Sequence, residues 1–352
     1  MLHAIALLSK HFDWRFSVHV ALAPAVLRWR QRIAEVTAES PDVRAAPLEI
    51  QRLTNTRIAD RLASEFGLPV DPGVRIDEIE LPVSAGRSSY GRRYRPPGAE
   101  TAAPLPTQVF LHGGAFVFGS PRELVNDQLL SRRAAATGIQ IVSVAYGLAP
   151  ELPYPTGRDD ALVALAHLQT NADTYDIDPD RLGLGGNSAG ATTVASAALA
   201  CALGLIADPP RIHHLMLEVP AGSLRETDFG PDAPAELLAM ARGTVAALLP
   251  TGEIDDAASP ADAPSLAGLP PTTVMTAQLD ELRTGAARLV HRLQAAGVPT
   301  VWHDLPDHDH ASCGITASYP AARHWQDLAA AELRAAYRSH PSPTHRSTDS
   351  EA

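Results

Sequence analysis

Gly186-Asn187-Ser188-Ala189-Gly190 is the stretch of this chain with the most pointed chemistry, a hydroxyl with a glycine two residues away on either side. The apolar run Leu182 to Leu184 before it reads as a strand, and the small-residue run Ala191 to Leu203 after it reads as a helix. A serine on a sharp strand-to-helix turn is lifted clear of a sheet, where its hydroxyl can attack an acyl carbon. Glycines let such a strained turn pack closely, and the helix N-terminus puts positive partial charge where an oxyanion would develop. A Gly/Ser-rich turn can match the pattern by chance; the flanking strand and helix argue against that here.

A second segment, His112-Gly113-Gly114-Ala115-Phe116, follows the apolar run Val109 to Leu111. Acyl transfer needs backbone N–H groups aimed at the tetrahedral oxyanion, and adjacent glycines let the main chain come close. The amides of Gly113, Gly114, Ala115 and Ala189 are the candidates for that oxyanion hole. His112 lies ahead of the serine and reads as a structural hydrogen-bonding residue.

The elements that must hold these residues alternate. Val109 to Leu111, Ile141 to Val144, Leu182 to Leu184, Leu215 to Val219, Thr273 to Thr276 and Thr300 to Leu305 are strand candidates. Helix-period segments at 122–136, 157–170, 189–204, 284–296 and 320–337 separate them. Such βαβα order implies an α/β architecture, a mostly parallel sheet covered by helices on both faces, with ligands beyond the carboxyl ends of the strands. Two further strands are expected between Val74 and Tyr94. Residues 1–70 read as a helical cap region and 71–338 as the catalytic domain. Residues 224–271 add a cap contribution, and the polar segment 339–352 is a disordered tail.

At these landmarks the chain resembles the hormone-sensitive-lipase-like family of α/β-hydrolases, the type IV bacterial carboxylesterases. Their H-G-G-G motif and G-D-S-A-G-G elbow are similar to the two segments above, and Tyr146-Gly147-Leu148-Ala149-Pro150-Glu151 with Pro153-Tyr154-Pro155 is similar to their Y-R-L-A-P-E-x-P-F-P. The resemblance implies an α/β-hydrolase fold with Ser188 as nucleophile. It also implies an acid in the segment Asp280-Glu281-Leu282-Arg283, which precedes Ala295-Ala296-Gly297-Val298 at the family's distance. It puts Asp280 on the family's acid, with Glu281 as rival, and His310 on its histidine, with His308 as rival. Ser, Asp, His is also this fold's chain order.

Four departures stand out: Ala115 for the third glycine, Asn187 for Asp, Gly147 for Arg, and Ala311-Ser312 for the Gly-Phe after the histidine. Ala115 still supplies an amide unless its φ must be positive. The arginine missing at 147 is expected to weaken a buried ion pair, as is Thr284 in place of an Asp.

The implied activity is serine carboxylic-ester hydrolysis of small, short-chain acyl esters through an acyl-enzyme. A non-hydrolytic small-molecule receptor and a transacylase or tailoring enzyme on the same scaffold are the alternatives. A metal-dependent hydrolase using Asp307, His308, Asp309 and His310 lacks further ligands at metal-site spacing, so no cofactor and no metal are expected. A formal charge of -11 disfavours nucleic-acid partners. With Cys201 and Cys313 as the only cysteines there is no disulfide framework, which suits a cytoplasmic protein. The run Ala4 to Leu8 is too short for a secretory h-region, and no stretch reaches the roughly 20 apolar residues of a membrane span. A homodimer stays open. At 352 residues, 45% hydrophobic and 20% charged, the chain has ample material for one large core.

Overall fold

The computed structural model describes residues 23–99, 104–229, 233–252 and 255–338; the expected tail, 339–352, lies outside them, as does 1–22 of the expected cap region. Strands β1 (Arg75–Pro82), β2 (Ser88–Arg95), β3 (Leu105–Leu111), β4 (Gln140–Val144), β5 (Ile177–Asn187), β6 (Leu215–Glu218), β7 (Thr272–Ala277) and β8 (Thr300–Leu305) form one eight-stranded sheet. Its order is β1-β2-β4-β3-β5-β6-β7-β8. β2 pairs antiparallel with both β1 and β4, and every pairing beyond β4 is parallel. The chain is an α/β-hydrolase-type sheet with β5 near its centre.

Side-chain alternation decides which layer each strand residue feeds. Val109, Leu111, Leu215, Leu217 and Val274 join one buried cluster with helices α4 (Thr156–Thr170), α5 (Ala189–Ala202) and α7 (Arg283–Ala295). The intervening Phe110 packs with Leu130 and Ala134 of α3 (Leu124–Thr137), and Met216 and Met275 pack with Trp325, Ala329 and Leu333 of α8 (Pro320–Ala336). Both faces are therefore covered, and β4, Gln-Ile-Val-Ser-Val, parallel to β3 and antiparallel to β2, is wholly buried.

Helices α1 (Pro24–Glu39) and α2 (Leu48–Phe66) precede the sheet. Proline at the first turn of α1 starts it without losing an intrahelical bond. Val26, Trp29, Ile33 and Val36 recur at helical spacing on its buried side. They pack with Ile58, Leu62 and Phe66 of α2 and with Ala311, Ile315 and Tyr319 from the loop after β8. These two helices thus share a core with the segment that carries His310. Within 224–271 lies α6 (Ala235–Leu248), partly exposed, with Leu237 and Leu248 buried.

Candidate active site

β5 ends at Asn187 and α5 starts at Ala189, so Ser188 is the turn itself. Its φ of 53° and ψ of -121° are strained for a residue with a side chain. The flanking glycines explain how the turn fits. A Cβ on Gly190 would lie 2.0 Å from the Leu111 carbonyl oxygen, and one on Gly186 would lie 2.6 Å from the Gly190 carbonyl carbon. The Ser188 N–H donates to the Glu218 carbonyl at 2.8 Å, tying the turn to β6.

Ser188 Oγ lies 2.7 Å from His310 Nε2, and His310 Nδ1 lies 2.7 Å from Asp280 Oδ2. A carboxylate only accepts, so the ring proton belongs on Nδ1 and Nε2 is left to accept from the serine. Asp280 is 7% exposed. Its other oxygen accepts the Leu282 N–H at 2.9 Å, just ahead of α7. Burial pushes the His310 pKa down, but the charge and hydrogen bond of Asp280 push it up by more, and the net is upward.

The rivals sit elsewhere. His308 bonds through Nδ1 to Ser312 Oγ at 2.9 Å and packs against the rings of Tyr319 and Trp325. It is 2% exposed, and burial lowers its pKa. His303 pairs with Glu332 at 2.9 Å, and it is Asp280, not Glu281, that bonds the His310 ring. Asp309 accepts the Ala311 and Ser312 N–H groups and pairs with Arg30 of α1. His308 and Asp309 thus share Ser312 as a partner, while His310 alone engages Ser188 and Asp280. Among the described residues no group of three or more His, Cys, Asp or Glu could hold a metal ion.

The Gly113 turn faces the serine. A Cβ on Gly113 would stand 3.2 Å from Ser188 Cβ and 3.2 Å from Asn187 Oδ1. Gly114 and Ala115 have φ of 137° and 52°, so the position where the family pattern has its third glycine does sit in the left-handed region. A Cβ on Gly114 would lie 2.0 Å from the Phe118 oxygen. Among the described residues the N–H groups of Gly113, Gly114, Ala115 and Ala189 have no hydrogen-bond acceptor in the protein. His112 braces the turn through Nδ1 to the Gly113 carbonyl at 2.8 Å, and burial drives its pKa to about 4. Its own carbonyl accepts the Tyr146 hydroxyl at 2.8 Å.

Sequence reasoning missed the supports. Beneath the elbow, Arg133 clasps Glu218 at 2.6 and 3.1 Å, and Trp325 Nε1 donates to the same carboxylate at 2.9 Å. Nothing in the sequence pairs residues so far apart; the only hint is an acid at the end of an apolar strand. Next to Gly147 lies a buried carboxylate with its own cation. Asp160, 0% exposed, is held by Arg87 Nη2 at 2.6 and 2.8 Å, by the Gly147 N–H at 2.8 Å and by the Ser84 N–H at 2.9 Å. The guanidinium that holds it comes from the β1–β2 turn. Cys313 is buried and Cys201 partly so, and burial raises both thiol pKa values.

Beside the turn lies a cavity of about 70 Å3. Trp29, Leu62 and Phe66 of the first two helices form its apolar wall, and Asn55, Glu123 and Asn187 supply polar atoms.

A family model described as an alpha/beta hydrolase fold matches residues 108–313, from the strand before the Gly113 turn to just past His310. The chain belongs to the α/β-hydrolase family. Its branch is the hormone-sensitive-lipase-like group of bacterial carboxylesterases. Within that family the chain is similar to esterase LipI of Mycobacterium tuberculosis, 30% identical over 72% of this chain and 80% of that protein. Carboxylesterase NlhH of the same organism is 32% identical over 71% and 79%. Among solved α/β-hydrolases, an ester hydrolase from the metagenome of Lake Arreo superposes with a TM-score of 0.76 at 27% identity, over 90% of this chain and 99% of that one. No described helix is long and apolar enough to cross a membrane.

Proposed function

We propose that this α/β-hydrolase is a serine carboxylesterase, with Ser188 as nucleophile, His310 as general base and Asp280 as the acid that orients it. The observation that carries the reading is the continuous hydrogen-bonded line from Ser188 Oγ through both ring nitrogens of His310 to Asp280, each step 2.7 Å. The names of its relatives, esterase and carboxylesterase, support the bond type.

In the first step His310 Nε2 takes the Ser188 proton as Oγ bonds to the ester carbonyl carbon. The carbonyl oxygen becomes an oxyanion, and the unpaired amides of Gly114, Ala115 and Ala189, with Gly113 beside them, are placed to donate to it. Asp280 stabilises the imidazolium and keeps Nδ1 protonated. The imidazolium then gives its proton to the departing alkoxide, the C–O bond breaks, and the alcohol leaves an acyl-serine. A water, deprotonated by His310, attacks the acyl-serine; the serine recovers its proton and a carboxylic acid departs. The preference for short acyl groups is part of this reading and comes from the family resemblance.

A series of 4-nitrophenyl esters from acetate to dodecanoate tests this on the wild type and Ser188→Ala. Turnover should peak at short chains and fall by roughly 10³-fold or more in the variant. Near-wild-type turnover by Ser188→Ala would sink the assignment.

A further inference from the structure

Asp280 and His310 stand on neighbouring loops that the backbone itself joins: the Leu279 N–H donates to the His308 carbonyl at 2.9 Å. Ser188 is held from another side. Its N–H donates to the Glu218 carbonyl at 2.8 Å, and Glu218 lies opposite Asn187 where β6 pairs with β5. The distance from Ser188 to His310 therefore depends on how β6 sits relative to the loop after β8, with β7 between them.

Helix α8 spans that gap. Glu218 is two residues beyond Met216, so its side chain takes the same face of the sheet, against α8. Trp325 Nε1 donates to Glu218 Oε2 at 2.9 Å, while the Trp325 ring meets the His308 ring edge-on at 5.2 Å. The next residue also reaches both sides. Gln326 Oε1 accepts from Arg133 Nη2 at 2.8 Å, and Gln326 Nε2 donates to the Cys313 carbonyl at 3.1 Å. Arg133 grips the Glu218 carboxylate, and Cys313 follows Ser312, whose hydroxyl accepts the Asp309 N–H at 3.1 Å. Two adjacent residues of one helix are thus each engaged with the support of the elbow and with the loop around His310.

Arg133 and Glu218 have side chains only 3% and 4% exposed. A buried ion pair adds little net stability over apolar packing of the same volume, whereas its directional bonds favour one placement of the groups that make it. Placement is what a nucleophile and its base need, since an error of about 1 Å can cost on the order of 10²-fold in rate. We propose that Trp325 and Gln326 are positioning residues that set the distance between Ser188 Oγ and His310 Nε2. They act through Glu218 and Arg133 on one side and through His308 and Cys313 on the other. The proposal rests on the esterase reading above.

Two variants test it with 4-nitrophenyl acetate across pH: Gln326→Leu removes both amide bonds, and Trp325→Phe keeps a ring and removes the N–H. Gln326→Leu should lower kcat by about tenfold or more and Trp325→Phe by about threefold or more, each with KM within about twofold of wild type. The acid limb of kcat/KM should stay in place, because Asp280 still bonds His310. Gln326→Glu keeps an acceptor for Arg133 but offers no N–H to Cys313, so its kcat should stay as low as that of Gln326→Leu. A wild-type kcat in folded Gln326→Leu and Trp325→Phe overturns the proposal and leaves these residues a part in stability alone. So does a wild-type kcat in Gln326→Glu, a KM that rises as far as kcat falls, or an acid limb that moves with the rate. Should Gln326→Leu fail to fold, Trp325→Phe and Gln326→Glu decide by the same measures. A wild type inert toward the whole 4-nitrophenyl series overturns the esterase reading, and this proposal with it.

Discussion

Arg30 of α1 holds Asp309, the residue next to His310, through two contacts of 2.8 Å. Asp309 in turn accepts the Ala311 and Ser312 N–H groups, so a side chain from the N-terminal helices fixes the loop that carries the proposed base. α1 therefore reaches the chemistry through an ion pair as well as through the apolar cluster it shares with Ala311 and Ile315.

Arg30→Ala should loosen that loop. Arg30 is 31% exposed while Asp309 is 5% exposed, so the loss leaves a mostly buried carboxylate short of one partner, costing about 1–2 kcal/mol of stability. Turnover should fall several-fold, with kcat affected more than KM, and Arg30→Lys should restore part of it. Steady-state kinetics with thermal unfolding would check this; a wild-type kcat in Arg30→Ala would show that the pair does not position His310.

The two histidines of the Asp307-His308-Asp309-His310 loop should separate cleanly. His310→Ala should lower kcat by roughly 10³-fold or more with little change in melting temperature. His308→Ala removes a ring packed against Tyr319 and Trp325 and should cost about 2 kcal/mol of stability, while kcat stays within about tenfold. The reverse pattern would transfer the base to His308.

The pH profile follows from Asp280 raising the His310 pKa. The ring must be neutral to accept a proton, so activity should fall as pH drops through a pKa above the usual value of about 6.5. For stability the sign is opposite. A raised folded-state pKa favours the protonated fold, so this contribution is full below the unfolded pKa and is lost as pH rises through the folded one. Asp280→Asn removes the cause and should move the acid limb of kcat/KM to lower pH, along with a large loss of rate. An acid limb that does not move would detach Asp280 from His310.

Arg87→Ala should expose how much Asp160 depends on its cationic partner. A carboxylate with 0% exposure would keep only the Ser84 and Gly147 donors, at a cost of about 2–3 kcal/mol after allowing for the 31% exposure of Arg87. Adding Gly147→Arg should recover only part of the loss, since a Cβ there meets Thr156 Cγ2 at 2.9 Å and both Asp160 Oδ2 and Leu152 Cβ at 3.1 Å, and these neighbours must shift. Chemical denaturation of the single and double variants measures both. A stability unchanged in Arg87→Ala would mean that the pair contributes nothing.

Much of this protein is legible along the chain because its signals are local. The elbow at Ser188 and the turn at Gly113 require glycine where two backbones touch, and a backbone contact of 2.0 Å for any added Cβ leaves no other residue. β3 and β6, on either side of β5, show as short apolar runs because both sheet faces are covered. Ala115 shows the limit of such reasoning: the sequence says that an amide is present, whereas its φ of 52° depends on how the turn closes over Ser188.

What the sequence determined by itself, then, is the sheet with its alternating helices and the two backbone turns that bracket Ser188. The tertiary structure decided the pairings between residues far apart in the chain. His308 and His310 are chemically alike and two positions apart, and only the loop's path puts one against Tyr319 and Trp325 and the other 2.7 Å from Ser188. Arg87 could pair with Asp160, and Arg30 could reach Asp309, because charges pair through space within a few ångströms. A sequence pattern records the spacing along the chain and says nothing of that distance.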